Sequence, residues 1–356
     1  MQNQSPKAVT RVAKRVCFSQ ESPEVKNESE ASSSEGPEGF IRDQEYWFVD
    51  GNLILVAQNT AFRLYMGLLL AQSSVLRQKF SSAHLSLHEG TVTRTVHLPE
   101  PPHEWRYLLR RLLPKGTGTH QTTFSLRDDF PMISALLRLS QKYNITEVTA
   151  YAIDALKAIY CNSYDAWRIH DRAVCGEGFD LGETPGILAR AIVAINFARL
   201  YNIPSVLPTA FYHCACLGGA IMKGYTHQDG TPEYLASDDV ARCINGIQVL
   251  TAVSADHVQL LRSHLPAYRT CKYNGACRRL WKQQVRDKLT RDWHSVLGNH
   301  AFRGLCETFP ALSALCDVCK EKAEDIFEER RKKVWHDLPR MFDIATYVGK
   351  WPVNVK

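Results

Sequence analysis

Four cysteines in the C-terminal third are spaced for metal chemistry. Cys271-Lys272-Tyr273-Asn274-Gly275-Ala276-Cys277 is a C-x5-C pair, and Cys316-Asp317-Val318-Cys319 is a C-x2-C pair. Two intervening residues fit one turn of a knuckle in which both thiolates reach the same tetrahedral ion. The first pair is one residue wider than is common, and Asn274-Gly275 supplies the bend it needs. Each pair sits just ahead of a predicted helix, whose positive end favours thiolate. The expected ligands of a structural zinc ion are Cys271, Cys277, Cys316 and Cys319, with Cys306, His294 and His300 in reserve. The competing expectation is four small thiols packed in a helical core, where free cysteine is often found.

His213-Cys214-Ala215-Cys216 has ligand types but not ligand spacing. Alternate positions of a helix point to different sides, so packing is the better reading. Nothing else assembles a reactive group. The chain contains no G-x-S-x-G elbow, no phosphate-binding glycine loop and no H-E-x-x-H pair, and its 13 histidines share no spacing. The expectation is a protein that is not an enzyme.

The elements that must position the cysteines are helical. From residue 187 to 345 apolar residues recur at helical spacing. One helix carries Ile192, Ile195, Phe197 and Leu200. Asp238 caps another through Val240, Ile244, Ile247 and Leu250, extended by residues 258–261. A last long helix over about 318–338 turns Ile326, Phe327, Val334 and Trp335 inward and its charges from Glu321 to Lys333 outward. Residues 223–237 read as a polar loop. Tyr201-Asn202-Ile203 repeats Tyr143-Asn144-Ile145, which is read as recurring turn chemistry rather than a duplicated domain because the flanks differ.

Composition narrows the class. A chain of 356 residues holds two domains of ordinary size. Its 43 basic and 37 acidic residues leave only +6, so charge gives no reason to expect nucleic-acid binding. No apolar run approaches the roughly 18 residues of a membrane span, and residues 1–37 lack the apolar core of a signal peptide. The expectation is an intracellular protein, cytoplasmic and/or nuclear, with no membrane partner and with its 11 cysteines reduced. Residues 1–40 are too polar to offset their ordering entropy and are expected to be a disordered tail; the basic tract at residues 11–15 is read as solvated.

The N-terminal half is organised around WFVDGNLILVAQNTAFRLYMGLLLAQSSVLRQKF, residues 47–80. An aromatic strand turns at Asp50-Gly51 into the apolar run of residues 52–58, a strand buried on both faces. A second strand follows at residues 61–64. Two short helices come next, at 66–71 and 75–80, with Ser73 and Ser74 placed to cap the second. Residues 91–99 form a further strand. Trp105, Leu108, Leu109, Leu112 and Leu113 mark an amphipathic helix. Asp128 and Asp129 can cap a helix that buries Ile133, Leu136, Leu137 and Tyr143, and a tight turn leads to its antiparallel partner with Val148, Ala152, Ala155 and Ile159.

Taken together, the WFVDGNLILVA strand pair, LLLAQSSVLRQKF, TVHLPE ahead of a Trp/Leu helix, and FPMISALLRLSQKYNI before a closing helix resemble a BTB/POZ domain over about residues 43–160. The spacing is most similar to BTB proteins of mushroom-forming fungi. The resemblance implies an α+β fold, a short sheet covered by helical hairpins, followed here by an all-helical part. It divides the chain into a tail (1–40), a BTB/POZ-like domain (41–162), a linker read as a loop (163–186), a helical domain with a four-cysteine zinc clamp (187–345) and a tail (346–356). It further implies an adaptor that binds protein partners, with a homodimer through the first helices and an N-terminal strand. The alternatives are a substrate adaptor on a cullin-based ubiquitin ligase, or a transcription-related scaffold. Leu315-Cys316-Asp317-Val318-Cys319 is similar to an L-C-x-x-C segment of fungal relatives. Many animal members carry an acidic residue opening the second strand and a His-Arg pair entering the first helix; here Asn52 and Tyr65-Met66 stand there.

Overall fold

The computed structural model describes residues 39–82, 84–88, 91–113, 124–175, 184–263, 271–273, 275–291, 301–302 and 309–351. The expected N-terminal tail falls outside them apart from residues 39–40, as do the basic tract at 11–15 and the reserve ligands Cys306, His294 and His300.

The architecture is α+β. A five-stranded mixed sheet is built from β1 (Ile41–Trp47), β2 (Leu53–Ala57), β3 (Thr60–Leu64), β4 (His84–His88) and β5 (Thr91–Leu98), in the order β1-β3-β2-β5-β4. The apolar run at β2 makes it the central strand. It pairs antiparallel with β3 and parallel with β5, so that Leu55 lies opposite Phe62 on one side and Val96 on the other. All five β2 residues are buried, because both faces are covered. Leu53, Leu55 and Ala57 join the main core with Phe62 and Leu64, whereas Ile54, Val56 and Ala61 pack against Phe40 and Trp47. The β2–β3 turn is the pair Gln58-Asn59, with Gln58 at a φ of 54°. Strand β4, whose HLSLH has too few apolar residues to stand out in the sequence, is the unanticipated outer edge.

Helices α1 (Met66–Gln72) and α2 (Ser74–Ser81) follow β3. Asn52 Oδ1 accepts the Met66 N–H at 2.9 Å and so caps α1 from across the chain. The Ser73 hydroxyl accepts the Leu76 N–H at 3.0 Å, as expected of it, and donates in turn to the Tyr143 carbonyl. Helix α3 (Pro102–Leu112) buries Trp105, Leu108 and Leu109, and α4 (Phe130–Lys142) and α5 (Thr146–Ile159) form the expected antiparallel hairpin. Asp129 stands at the N-cap of α4, but its carboxylate turns back to accept the Ser125 N–H at 2.8 Å instead of capping the helix.

The expected linker loop is corrected. Residues 164–175 form helix α6 (Tyr164–Cys175), which carries a fully buried Trp167 among Tyr212, Phe302 and Trp335. The glycines that suggested a loop begin only at Gly176. Helices α7 (Thr184–Leu200) and α8 (Leu207–Cys216) follow, and the expected polar loop contains a small ribbon, β6 (Tyr225–Thr226) with β7 (Pro232–Glu233). His227 and Asn196 both bond Glu233 at 2.7 Å, which fastens the ribbon to α7. Helix α9 (Ser237–Ser263) is continuous across both segments read from the sequence, and a bidentate Arg199–Asp239 pair holds its start to α7.

Helix α10 is Ala276–Arg291, α11 is Asp317–Met341 and α12 is Ala345–Val348. Phe327, Val334 and Trp335 point inward as expected, whereas Ile326 is only half-buried. One charge of that run is misplaced by the sequence reading: Arg331 is buried, bonded to Glu328 at 2.6 Å, and Glu328 also holds Arg168 of α6 at 2.7 Å. Nor is the stretch from residue 346 a simple tail, since the Trp351 ring lies tilted against Trp335 with ring centroids 4.9 Å apart and its Nε1–H donates to the Trp335 carbonyl.

Three helices end alike. Tyr143-Asn144-Ile145, Tyr201-Asn202-Ile203 and Phe342-Asp343-Ile344 each place the middle residue at a φ of 52–53°. Each isoleucine N–H reaches back 2.8 Å to a carbonyl five residues earlier, the closing bond of a Schellman turn. Asn and Asp tolerate that left-handed geometry better than other residues with a side chain.

The main core is continuous from Tyr46 to Ile344 and crosses the boundary between the two halves. A separate apolar cluster gathers Leu261, Trp281, Val285, Phe309, Leu312, Leu315, Ala323 and Phe327 around cysteines. Among the described residues no helix is long and apolar enough to cross a membrane.

Candidate metal centre

The structure brings together all four cysteines picked from the sequence. Cys271 precedes the turn into α10, and Cys277 is the second residue of that helix. Cys316 is the N-cap of α11, and Cys319 lies in its first turn. Their sulfurs all lie within 4.8 Å of one another, although the two pairs are separated by some forty positions of chain. Bonds of about 2.3 Å to a central ion would set sulfurs about 3.8 Å apart in a tetrahedron, so the widest pair need close by only about 1 Å. The set fits a metal ion.

Local geometry explains the convergence. Gly275 adopts a φ of 82°, the left-handed bend that the wide C-x5-C pair requires, and the Ala276 N–H closes the turn onto the Tyr273 carbonyl at 2.8 Å. The Cys316 N–H donates to Cys277 Sγ at 3.3 Å, and Lys272 Nζ meets Asp317 Oδ2 at 2.9 Å. Both contacts run between the two knuckles. Three of the thiols are buried, and Cys271 is half-buried.

The four thiols are not equivalent. The Gly275 and Tyr273 N–H groups draw the Cys271 thiol down to about 6. Burial opposes ionisation of Cys316, but the N–H groups of Cys319 and Lys272 outweigh it and leave that thiol below its ordinary value. Burial pushes Cys277 up and Cys319 much further up. Each knuckle thus pairs one thiol that its neighbouring N–H groups lower with one that burial raises. With four sulfurs as ligands, no position remains for a substrate, which is the character of a structural rather than a catalytic site.

His213 and Cys214 are buried in α8 and Cys216 is half-buried, in keeping with packing; Cys214 lies against Cys243, and burial raises its thiol. Among the described residues, the four cysteines are the one group of three or more candidate ligands that converge. Sequence reasoning missed the Lys272–Asp317 link, whose signal was the position of each residue directly after a ligand cysteine.

Comparison with family models, with curated proteins and with solved structures returns no match to this chain.

Proposed function

We propose that the chain is a protein-interaction adaptor: a BTB/POZ-like N-terminal half joined to a helical C-terminal part stapled by a structural zinc ion. The observation that carries the reading is the succession over residues 41–159. A strand, a fully buried hairpin, a two-helix elbow, two further strands, a Trp-bearing helix and a helical hairpin occur in that order, and Ser73 ties the elbow to the end of α4. Such a scaffold offers edges and helix faces to other proteins rather than a cleft for a substrate. The Asn52–Met66 contact is an uncharged helix cap at the place where many animal members hold a charged pocket, so a partner that reads that charge is not the expected one. Zinc is the metal that best suits four thiolates, and its role here is to join the start of α10 to the start of α11.

The reading includes self-association through α1 and β1, where Leu68 and Ile41 are exposed. Sedimentation at tens of micromolar tests this part, and a strictly monomeric protein removes it. Affinity purification of the tagged chain from its native cell, read by mass spectrometry, tests the adaptor role. Stoichiometric protein partners support it, and cullin subunits among them specify a ubiquitin-ligase adaptor. Recovery of the chain alone under conditions that retain weak partners counts against the reading.

A further inference from the structure

The four cysteines of the candidate metal centre differ in how they are held. Cys277, Cys316 and Cys319 are at most 2 % exposed, and each is fixed at the start of a long helix. Cys271 is half-buried and lies outside any helix, ahead of a turn that bends at Gly275. Of the four sulfurs it is the one that meets solvent and can move without dragging a helix with it. All four lie within 4.8 Å of one another, whereas a disulfide needs about 2.05 Å, so closure of a pair asks for a shift of less than about 3 Å. Cys277 stays near Cys271 whatever the other knuckle does, because the chain between them already folds back, the Ala276 N–H donating to the Tyr273 carbonyl at 2.8 Å. Cys316 and Cys319 depend for their nearness on the ion, on the Cys316 N–H to Cys277 Sγ contact and on the Lys272–Asp317 pair. The Asp317 carboxylate is 90 % exposed, and an ion pair so open to water holds little.

We propose that this centre is a peroxide-sensitive modification site: oxidation enters at Cys271, closes a Cys271–Cys277 disulfide, expels the zinc ion and loosens the start of α10 from α11. The inference deepens the zinc reading of the site and rests on it. In the first step the Cys271 thiolate attacks a peroxide oxygen and the O–O bond breaks. The sulfur becomes a sulfenic acid, and the departing hydroxide takes a proton and leaves as water. In the second, the Cys277 sulfur attacks the sulfenic sulfur, the S–O bond breaks, and a second hydroxide takes a proton and leaves as water. Two thiolates, one hydrogen peroxide and two protons thus give one disulfide and two waters; the sulfur pair loses two electrons and the peroxide gains them. An ion left with Cys316 and Cys319 has lost half its ligands and departs. Cys277 is favoured over the opposite knuckle because a short loop keeps its two ends at high effective concentration. Trp281 and Phe327 remain neighbours in the apolar cluster, so α10 loosens at its start and does not detach.

The test uses the full chain, with zinc content measured first. Hydrogen peroxide is titrated from equimolar to about tenfold excess while a chromogenic chelator reports released zinc, dimedone traps sulfenic acid, and non-reducing peptide mapping locates disulfides. The expected result is release of the zinc in step with a Cys271–Cys277 disulfide, with the dimedone adduct on Cys271. Hydrogen-exchange protection should fall at the start of α10 and return with dithiothreitol and zinc. Cys271→His, which keeps a zinc ligand but no oxidisable sulfur, should release zinc about tenfold more slowly or less. The adduct and the disulfide map are read on the wild type, so they decide even if that variant fails to fold. Retention of zinc at the highest peroxide concentration overturns the proposal, as does release without a disulfide, or an adduct on a buried cysteine of the set before Cys271. A disulfide from Cys271 or Cys277 to Cys316 or Cys319 also overturns it, since the two helices would then be joined covalently. A chain that carries no zinc ends the zinc reading itself, and the disulfide map alone then upholds or overturns the Cys271–Cys277 assignment.

Discussion

Gly246 of α9 crosses directly beneath Phe342: a Cβ built on the glycine would stand 2.1 Å from the ring. Phe342 stacks in turn on Phe211 of α8, with centroids 5.5 Å apart, and is itself fully buried. Helices α8, α9 and α11 therefore meet where only a hydrogen atom fits. Gly246→Ala should destabilise the protein by about 1–3 kcal/mol through overpacking, despite the better helix propensity of alanine. A urea titration that finds the variant as stable as the wild type would mean that the ring swings aside at no cost.

The centre of the sheet makes a second prediction. Leu55 is fully buried between Phe62 and Val96, so Leu55→Ala should cost about 2–5 kcal/mol. Met66→Ala, at a half-buried position at the start of α1, should cost far less. Equal losses in denaturant titrations would show that β2 is not the organising strand.

Ser73 joins two elements with one hydroxyl. Ser73→Ala removes the cap on Leu76 and the bond to the Tyr143 carbonyl together, and leaves that carbonyl without its donor inside the core. The expected loss is about 1–3 kcal/mol. Ser74→Ala, which begins the helix without capping it, is the control. A Ser73 variant no worse than this control would show that neither bond matters to stability.

What the sequence made legible follows from how local each signal is. The β2 run, the Ser73 cap and the C-x2-C pair depend on neighbours a few residues apart. The convergence of Cys271 and Cys277 with Cys316 and Cys319 was inferable because ligand chemistry restricts where four cysteines can go. Helix α6 was missed because its polar residues, Asp165 among them, were read together with the glycines that follow it. The feature that buries Trp167, an aromatic nest with Tyr212, Phe302 and Trp335, is assembled from distant parts of the chain. Arg331 was misread for the same reason. Its charged run shows ordinary helical spacing, and only the arrival of Arg168 from α6 reveals that this turn faces inward.

His257 gives the chain a pH dependence of known sign. Burial, with the Arg330 and Arg331 charges beside it, lowers the imidazole from its usual value to about 3; its ring packs 4.5 Å from Phe327. In the unfolded chain the imidazole takes a proton near pH 6.5. The stability linked to its neutral form is thus fully present above pH about 6.5 and is lost as pH falls toward 3. Between pH 7 and 5 the wild type should lose more stability than His257→Phe, as measured by urea titration at each pH. Parallel losses in the two proteins would show that His257 does not titrate on unfolding.

The metal makes the most demanding prediction, because geometry and chemistry must agree. The sulfurs of Cys271, Cys277, Cys316 and Cys319 already lie within 4.8 Å of one another, and a zinc ion would draw them closer around one centre. Protein purified without added metal should carry one equivalent of zinc, and Cys316→Ser with Cys319→Ser should carry none. The structural effect should be local. The cysteines belong to the smaller apolar cluster with Trp281, Phe327 and Leu261 from the end of α9, whereas one face of the sheet, α3–α8 and the first part of α9 share the main core. Chelation should therefore strip hydrogen-exchange protection from α10 and the first turns of α11 while β2 and β3 keep theirs. The contacts Cys316–Cys277 and Lys272–Asp317 hold the knuckles near each other without an ion, but neither spans an area that stabilises much alone. If the wild type is metal-free and protects α10 as fully as β2, the four thiols are ordinary core packing and the proposed staple is absent. If metal is bound but its removal leaves exchange unchanged everywhere, the ion occupies a site that already stands without it.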